Sequence, residues 1–356
     1  MVNYYINGRG KEELTQQIIA IIRRARKCIK AANFLFQDKR ILDELEAALT
    51  DRGVALFIIS NLRGAENDSY NREMGESDEK IDNHLLYLKR LWVKGAHVHI
   101  LNDLHAKFII ADDGSEEEAG LLMSANFSPC SINKNTETGI SVENEELKDL
   151  VYVFDKLYLN ADMNLLDESN GRNQVNSTRK PLPKDAFAHL NSRLRLTIAS
   201  RGTMKGNQES TNLKNCEVNT IYNSIVDIIN GAQDYLYIVS WVFKLRGLEE
   251  LMSALKRAHE RNVRLFFYAN LHGRDSKRNN EEARETLQKY CSFSWEGDGD
   301  NHSKCVLSEK EGIIFTANID GGAGMKSGFE VGCILDDVQR KAVYDHITSL
   351  INSNHE

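Results

Sequence analysis

The segment H-A-K-F-I-I-A-D, residues 105–112, is followed by L-L-M-S-A-N at residues 121–126. A second copy of this arrangement reads H-S-K-C-V-L-S-E at residues 302–309 and I-I-F-T-A-N at residues 313–318. Each copy contains a histidine, a lysine, a hydroxyl residue and an asparagine in the same order. Helix and strand patterns earlier in each half also recur, 206–209 residues apart. The sequence therefore predicts a duplicated chain with one site built from both copies.

The spacing of these polar residues predicts that each pair shares one face of a strand. In H-x-K and in S/T-x-N the polar residues are two positions apart, and alternate side chains of a strand point to the same side. The apolar residues after each lysine suit a buried strand. An imidazole, an ammonium, a hydroxyl and an amide together can bind an oxyanion and transfer a proton. The predicted set is His105, Lys107, Ser124 and Asn126 in the first copy and His302, Lys304, Thr316 and Asn318 in the second.

Each copy has one histidine, whereas cleavage by a nucleophile and an acid needs two. We therefore expect the two copies to face each other. A glutamate follows each asparagine in the same E-x-G context, since Glu137 lies 11 residues after Asn126 and Glu330 lies 12 residues after Asn318. This shared context favours a role in the site over that of two unrelated loop carboxylates.

These motifs resemble those of the phospholipase D superfamily, in which two H-x-K-x4-D (HKD) motifs meet at a single active site. The first copy matches the motif through Asp112, whereas the second has Ser308 and Glu309 where the aspartate is expected. The resemblance implies that Asp112 and Glu309 brace the catalytic network and that the E-x-G glutamates hydrogen-bond the catalytic histidines. It assigns the nucleophile to His105 and the acid to His302, with a phosphohistidine intermediate and no metal or other cofactor.

The order of predicted elements indicates an α/β fold. Each half is expected to contain a mixed sheet with helices on both faces, and a pseudo-twofold axis is expected to relate the halves. Apolar residues at helical spacing, such as Leu42 and Leu45, mark the helices. The predicted boundaries are a first phospholipase D-like domain at residues 1–160, a basic linker at 161–214 and a second such domain at 215–356.

Residues 170–214 differ in composition from the rest of the chain. They contain nine basic and two acidic residues, which gives +7 in a chain whose net charge is −7. Such an island can bind a polyanion locally, because exposed charges are screened beyond ~8 Å at physiological salt. A solvated linker is the alternative. The basic residues are Arg172, Arg179, Lys180, Lys184, Arg193, Arg195, Arg201, Lys205 and Lys214.

Other features of the sequence argue against several classes of protein. The six cysteines have no C-x-x-C spacing, which predicts free thiols in a reducing cytoplasm. The first residues lack a signal-peptide pattern, and no apolar run reaches the ~20 residues of a membrane span. We therefore expect a cytoplasmic protein without stable membrane association. His97 and His99 alternate on a predicted strand, but without further ligands at metal spacing they are interpreted as plain strand residues.

Several functions are compatible with the predicted chemistry, because the superfamily includes nucleases and lipid enzymes. The first hypothesis is a metal-independent phosphodiesterase that acts as a DNA endonuclease, with DNA preferred to RNA. Resemblance to the bacterial nuclease branch implies a role in antiviral defence and an ATPase or helicase partner. The alternative is a cytoplasmic phospholipase D that acts at a membrane surface. A second alternative is a degenerate nucleic-acid-binding or scaffold protein.

Overall fold

The computed structural model describes residues 3–61, 78–164, 182–199, 216–272, 274–320 and 324–352. The strands of these residues form two mixed sheets, of nine and eight strands. Helices cover both sheets. The predicted α/β fold, with two tandem halves that each contain a mixed sheet flanked by helices, is confirmed.

The first half contains one sheet and the helices that cover it. Its strands are β1 (Tyr4–Gly8), β2 (Lys11–Glu12), β3 (Cys28–Ala32), β4 (Ala55–Ser60), β5 (His97–Ile100), β6 (Phe108–Ala111), β7 (Ala119–Met123), β8 (Glu137–Val142) and β9 (Met163–Asn164). Its helices are α1 (Glu13–Arg24), α2 (Lys39–Thr50), α3 (Asp78–Val93), α4 (Pro129–Asn133) and α5 (Asn144–Leu159). The strand order is β2-β1-β8-β7-β6-β3-β4-β5-β9, in which β3, β4 and β5 are parallel and the other pairings are antiparallel.

The second half repeats this arrangement. Its strands are β10 (Leu194–Ala199), β11 (Val218–Asn219), β12 (Tyr235–Val239), β13 (Arg264–Asn270), β14 (Ser294–Asp298), β15 (Cys305–Ser308), β16 (Gly312–Phe315) and β17 (Gly328–Ile334). Its helices are α6 (Thr220–Gly231), α7 (Leu245–Glu260), α8 (Arg274–Leu287) and α9 (Asp337–Asn352). The strand order β11-β10-β17-β16-β15-β12-β13-β14 equals that of the first sheet without β9, so the predicted duplication is visible strand by strand.

The helices form where apolar residues recur at helical spacing. Asp38 precedes α2 and accepts a hydrogen bond from the N–H of Ile41 at 3.1 Å, which satisfies one free donor of the first turn. Leu42 and Leu45 of α2 are buried against the sheet, as is Leu248 of the corresponding helix α7. Among the described helices, none combines the length and the apolar character needed to cross a bilayer.

One apolar core contains residues from both halves. Leu150 and Phe154 of α5 belong to it together with Val343 and Ile347 of α9, and all four are buried. Because buried apolar surface contributes about 25 cal/mol per Å², this shared core holds the two sheets in a fixed relation. The site between the halves depends on that relation.

The predicted linker, residues 161–214, is described only in part. Within it, β10 pairs with β17 over six residues, so this part of the predicted linker belongs to the second sheet. The reason is that β10 is the counterpart of β1, which pairs with β8 in the same way. Arg193 bonds Glu146 at 2.8 Å and Arg195 bonds Ser224 at 3.0 Å, so both predicted island residues have structural contacts. Six of the island's basic residues lie outside the described residues: Arg172, Arg179, Lys180, Arg201, Lys205 and Lys214.

Candidate active site

Each H-x-K segment pairs with the backbone of the opposite half. The N–H groups of His105 and Ala106 both donate to the Phe329 carbonyl at 2.9 Å. The N–H of His302 donates to the Thr136 carbonyl at 3.0 Å. Phe329 and Thr136 directly precede the glutamates of the two E-x-G segments. Backbone pairing therefore brings the histidine of one half to the glutamate of the other.

The predicted placement of the histidine and lysine on a strand is wrong. The strand β6 begins at Phe108 and β15 begins at Cys305, so the two polar residues of each motif precede the strand. The physical reason is that the backbone at the histidines pairs with the opposite half rather than with its own sheet. The apolar run after each lysine is a buried strand, as predicted.

The two histidines form crossed pairs with the two glutamates. Nδ1 of His105 lies 2.8 Å from Oε1 of Glu330, and Nδ1 of His302 lies 2.7 Å from Oε1 of Glu137. All four side chains are at most 9% exposed. A carboxylate at Nδ1 holds the proton on that nitrogen and leaves Nε2 available for chemistry. For Glu330 this geometry fits the predicted hydrogen bond to a histidine, whereas Glu137 makes only a close contact with His302.

The His302 pair differs from the His105 pair. The His302 ring is turned so that its short contact to Glu137 is not a well-aligned hydrogen bond, and Nε2 has no hydrogen-bond partner within the described chain. Burial lowers the pKa of His302 to about 4, although the Glu137 charge acts in the opposite direction. The imidazole of His302 is therefore neutral at neutral pH when no ligand is bound.

Both glutamates are held ionised despite their burial. For Glu330, burial opposes ionisation, but the charges of His105 and Lys107 and the hydrogen bonds of His105 and Thr316 outweigh it and lower the pKa to about 2. For Glu137, burial is likewise outweighed and the pKa is lowered. Because His302 is neutral at neutral pH, the charge of the neighbouring lysine and the hydrogen bond from Ser124 stabilise the Glu137 carboxylate.

The two lysines lie inside the protein and point back to their own motifs. Nζ of Lys107 donates to the His105 carbonyl at 2.5 Å, and Nζ of Lys304 donates to the His302 carbonyl at 2.5 Å. Both side chains are fully buried. Burial lowers the pKa of Lys304 to about 8, and the charges of Glu137 and of the other E-x-G glutamate partly oppose this. Two buried ammonium groups beside two histidines make a site suited to an anion.

Ser124 and Thr316 were predicted to bind phosphate, but the structure places them behind the glutamates. The Ser124 hydroxyl donates to Oε2 of Glu137 at 2.5 Å, and the Thr316 hydroxyl donates to Oε2 of Glu330 at 2.6 Å. Each hydroxyl also accepts a backbone N–H from the strand that carries the glutamate. We therefore correct their role: they orient the carboxylates that pair with the histidines.

Asn126 and Asn318 present unsatisfied polar atoms. Within the described residues, both amide atoms of Asn126 and Oδ1 of Asn318 are buried without a hydrogen-bond partner, as is Nε2 of His302. A buried polar atom without a partner costs about 1–3 kcal/mol. A bound phosphate oxygen would accept the N–H of Asn126 Nδ2, so this donor fits the predicted phosphate-binding role, whereas the two Oδ1 atoms are acceptors and need a donor instead.

Asp112 and Glu309 lie away from the histidines. Asp112 accepts the N–H groups of Arg26, Lys27 and Cys28 at 2.7–3.0 Å, at the start of β3. Glu309 accepts the N–H groups of Gln233, Asp234 and Tyr235 at 2.8–3.4 Å, at the start of β12. These contacts are at the far ends of β6 and β15 from the H-x-K segments. The predicted bracing of the histidine network is therefore corrected: both carboxylates bind backbone amides instead, and the longer Glu309 does so as Asp112 does.

Four further residues surround the histidines, and the sequence reasoning missed them. The Phe34 ring contacts the His105 ring edge-on at 5.3 Å, and the Trp241 ring contacts the His302 ring at 5.8 Å. Phe34 lies two residues after β3, and Trp241 lies two residues after the corresponding strand β12. This equivalent position in the repeat could have indicated both residues from the sequence. The other two are Asn61 and Asn270, which bond the loops before the histidines. Each is the first residue of an N-L-x-G sequence, at residues 61–64 and 270–273.

His97 and His99 have structural contacts in the first sheet. His99 stacks on Tyr158 at 3.7 Å between ring centroids, and its Nδ1 lies 2.8 Å from the Tyr158 carbonyl oxygen. His97 stacks on Phe57 at 5.2 Å. In the part of the chain that the structure describes, no group of three His, Cys, Asp or Glu side chains could hold a metal ion.

Comparison with known proteins gives one match to a family model. Residues 18–158 match the family model described as cardiolipin synthase, PLD-like domain. This match places residues 18–158 in a phospholipase D-like domain. No curated protein matches the sequence.

Two solved structures share the fold over nearly the whole chain. Phosphatidylserine synthase from Haemophilus influenzae Rd KW20 is 16% identical, with a TM-score of 0.62 over 98% of this chain and 86% of the synthase. Polyphosphate kinase from Porphyromonas gingivalis is 14% identical, with a TM-score of 0.55 over 96% of this chain. The chain spans about half of that kinase, 49% of its length. The phospholipase D family member Nuc from Salmonella typhimurium is 16% identical, with a TM-score of 0.38 over 46% of this chain and 98% of Nuc.

Proposed function

We propose that this phospholipase D-like protein is a phosphodiesterase that cleaves DNA through a covalent phosphohistidine. The observation that carries the proposal is the crossed pairing of His105 with Glu330 and of His302 with Glu137, at 2.8 and 2.7 Å. Each histidine depends on a carboxylate from the other half, so both halves contribute to one site. Two oriented imidazoles supply the nucleophile and the proton carrier that cleavage of a phosphodiester needs.

The site is also suited to bind the phosphate group before it reacts. The ammonium groups of Lys107 and Lys304 and the amide N–H groups of Asn126 and Asn318 are donors for phosphate oxygens. Negative charge builds on these oxygens in the transition state, and donors fixed in a buried site stabilise it without reorganisation. The unsatisfied Nδ2 donor of Asn126 supports this role.

The first step transfers the phosphoryl group to the protein. Nε2 of His105 attacks phosphorus, a nitrogen–phosphorus bond forms, and the bond from phosphorus to the leaving oxygen breaks. Protonated His302 gives its Nε2 proton to that oxygen. In the empty site the pKa of His302 is lowered to about 4 by burial, so the acid role requires the negative charge of the bound phosphate to raise it.

The second step releases the product. His302, now neutral, takes a proton from a water molecule, whose oxygen attacks phosphorus as the nitrogen–phosphorus bond to His105 breaks. His302 is then protonated, as it was in the phosphate-bound site at the beginning of the first step. Neither step requires a bound metal ion, and the predicted absence of a cofactor remains a prediction that a chelator can test.

The proposed substrate class is DNA. Its support is the +7 balance of residues 170–214 in a chain of net charge −7, because phosphate contacts from lysine and arginine supply much of DNA affinity. A phospholipid is the competing substrate with the same chemistry. The predicted ATPase or helicase partner and the role in antiviral defence rest on the superfamily resemblance and remain predictions.

The test is a cleavage assay with four substrates in excess EDTA. Plasmid DNA, single-stranded DNA, RNA and phosphatidylcholine vesicles are each incubated with wild type, His105→Ala and His302→Ala. His97→Ala is the matched control, because His97 is exposed and lies outside the site. We expect wild type and the control to cleave DNA and both site variants to lose at least about 10³-fold in rate.

Three outcomes would contradict the proposal. Choline release without DNA cleavage would assign a phospholipase D, and a shift in DNA mobility without any cleavage would indicate a binding protein. Equal DNA cleavage by wild type and both site variants would show that the crossed histidines do not carry the reaction.

A further inference from the structure

A buried histidine outside the predicted motifs connects two segments that lead to the site. His84 of α3 is fully buried, and its two ring nitrogens contact different backbone groups. Nδ1 lies 2.9 Å from the N–H nitrogen of Phe36, and Nε2 lies 2.9 Å from the carbonyl oxygen of Asn61. A backbone N–H can only donate, so Nδ1 accepts and Nε2 carries the proton. The contacts therefore fix a neutral imidazole in one tautomer.

The second half makes the same connection with an asparagine. Oδ1 of Asn280, on α8, accepts the N–H of Phe243 at 2.7 Å. Nδ2 of Asn280 donates to the carbonyl of Asn270 at 2.7 Å and to that of Trp241 at 3.4 Å. One acceptor and one donor are thus presented to the same two segments as in the first half. Asn280 is also buried.

The contacted residues correspond in the repeat. Phe36 and Phe243 each lie four residues after the strands β3 and β12. Asn61 and Asn270 begin the two N-L-x-G segments. A histidine and an asparagine with different side-chain shapes therefore make equivalent bonds at equivalent positions. This equivalence indicates a shared requirement that either residue type can meet.

Both connected segments reach the catalytic histidine of their own half. In the first half, Asn61 donates from Nδ2 to the Leu104 carbonyl at 3.0 Å, and Leu104 directly precedes His105. The Phe34 ring, two residues before Phe36, contacts the His105 ring at 5.3 Å.

The second half repeats this geometry. Asn270 donates to the Asn301 carbonyl at 3.3 Å, directly before His302, and the Trp241 ring contacts the His302 ring at 5.8 Å. The bridging side chain, Asn280 here and His84 in the first half, therefore connects the two segments that contact the catalytic histidine.

We propose that His84 and Asn280 are matched positioning residues, each of which sets the orientation of the catalytic histidine in its own half. Neither touches the reacting atoms. The hydrogen-bonding pattern, rather than the residue type, is what the position requires. His84→Asn should therefore preserve the position of His105, whereas His84→Leu removes both bonds and should not.

The kinetic test rests on the proposed phosphodiesterase activity. Wild type, His84→Asn, His84→Leu and Leu88→Ala are compared with bis(4-nitrophenyl) phosphate as the probe, with kcat, KM and Tm measured for each. Leu88, one turn further along α3 and fully buried, is the control for a loss of packing alone. We expect His84→Asn to keep kcat within about threefold, and His84→Leu to lose about 10²-fold in kcat with little change in KM, because a misplacement of ~1 Å costs that much. Leu88→Ala should lower Tm while kcat of the folded protein is retained.

A second measurement tests the proposal independently of activity and of the His84→Leu variant. Nitrogen-15 NMR of the full chain reports the tautomer of His84 and the environment of the His105 ring. We expect the Nε2–H tautomer at His84 and an unchanged His105 signal in His84→Asn.

Three results would overturn the proposal: an Nδ1–H tautomer at His84, a displaced His105 signal in His84→Asn, or equal kcat losses in His84→Asn and His84→Leu. An inactive wild type with the expected tautomer and signals would instead refute the proposed phosphodiesterase function and leave the positioning role supported.

Discussion

At the scale of single residues, the site depends on glutamates that come from the half opposite their histidine. Glu330 receives one hydrogen bond from Thr316 of its own half and lies 2.8 Å from His105 of the other. A single carboxylate thus couples the sheet that carries it to the imidazole that we propose as the nucleophile. Its loss should affect the orientation and the tautomer of His105 without removing any group that touches the substrate.

We predict that Glu330→Gln lowers kcat by about 10²- to 10⁴-fold, since an orienting carboxylate on a catalytic histidine has effects of this size. The matched control is Glu309→Gln, because Glu309 binds backbone amides outside the site. Steady-state kinetics on the cleaved substrate gives the comparison. A Glu330→Gln variant with wild-type kcat would show that the crossed pair is not used.

We also predict that stability falls as the pH is lowered from about 6.5 towards 4. Burial lowers the pKa of His84, His302 and His346 to about 4 in each case, whereas an unfolded histidine has a pKa of about 6.5. In this window the unfolded chain binds protons that the folded chain does not, so the free energy of unfolding decreases. Urea unfolding at pH 7 and pH 5 measures it. Equal midpoints at both values would contradict the prediction, and His84→Asn should show a smaller pH dependence than wild type.

The sequence predicted the two histidines and the two glutamates because the same residue types occur in the same order in both copies, and the structure brings these four side chains into two close pairs. The sequence did not give their contacts. The hydroxyl groups of Ser124 and Thr316 can donate a hydrogen bond to a phosphate or to a carboxylate. In the structure their partners are Glu137 on β8 and Glu330 on β17, and the sequence alone does not show that these strands lie next to the hydroxyls. His84 was missed because it lies on a helix whose sequence has no counterpart histidine in the second half.

At the scale of secondary-structure elements, β6 and β15 separate the two ends of each motif. The strand that follows the lysine is short and buried, so the histidine lies at one end of it and Asp112 or Glu309 lies at the other. The acidic residue then meets the first N–H groups of the neighbouring antiparallel strand. The motif therefore has the proposed catalytic histidine at one end and a carboxylate that binds backbone amides at the other, which sequence spacing alone does not show.

We predict that Asp112→Asn lowers the free energy of unfolding by about 1–3 kcal/mol, the range for weakening hydrogen bonds to a charged acceptor. Asparagine suits this position because the backbone of Asp112 has a positive φ of 52°. The folded variant should cleave substrate as fast as wild type. Denaturant unfolding and kinetics on the same preparation check both expectations. A fully folded variant whose turnover is slower by about an order of magnitude or more would restore Asp112 to the site.

The strand β10 shows how composition can conceal an element. Its sequence L-R-L-T-I-A alternates at the start as a half-buried strand does. The surrounding basic and polar residues gave the segment the composition of a linker. In the structure β10 pairs with β17 in the same way as β1 pairs with β8. The start of the second half therefore depends on strand pairing in the folded protein, which the composition of residues 161–214 does not show.

At the scale of the whole molecule, the two halves are joined by a common core and by polar contacts. Arg9 of the first half bonds Asp298 at 2.7 Å and Tyr268 at 3.1 Å in the second. The shared apolar core contains residues of α5 and α9. The halves resemble the subunits of a twofold dimer in their arrangement, and each histidine of the candidate site pairs with a glutamate of the other half.

We predict a single cooperative unfolding transition. Because the shared core loses its apolar contacts when either half unfolds, the second half should not remain folded alone. Differential scanning calorimetry of the full chain should show one peak, with the calorimetric and van't Hoff enthalpies equal. Two resolved peaks would show that the halves are energetically independent and that the site between them is not held by the core.

A crystal structure of the full chain with orthovanadate, an analogue of the phosphoryl group in transfer, tests the shared site most directly. We expect one vanadate with Nε2 of His105 and Nε2 of His302 on opposite sides of it, and with Lys107 and Lys304 at its oxygens. Vanadate bound by one histidine, with the other ring out of reach of it, would contradict the claim that both halves act on the same phosphorus atom.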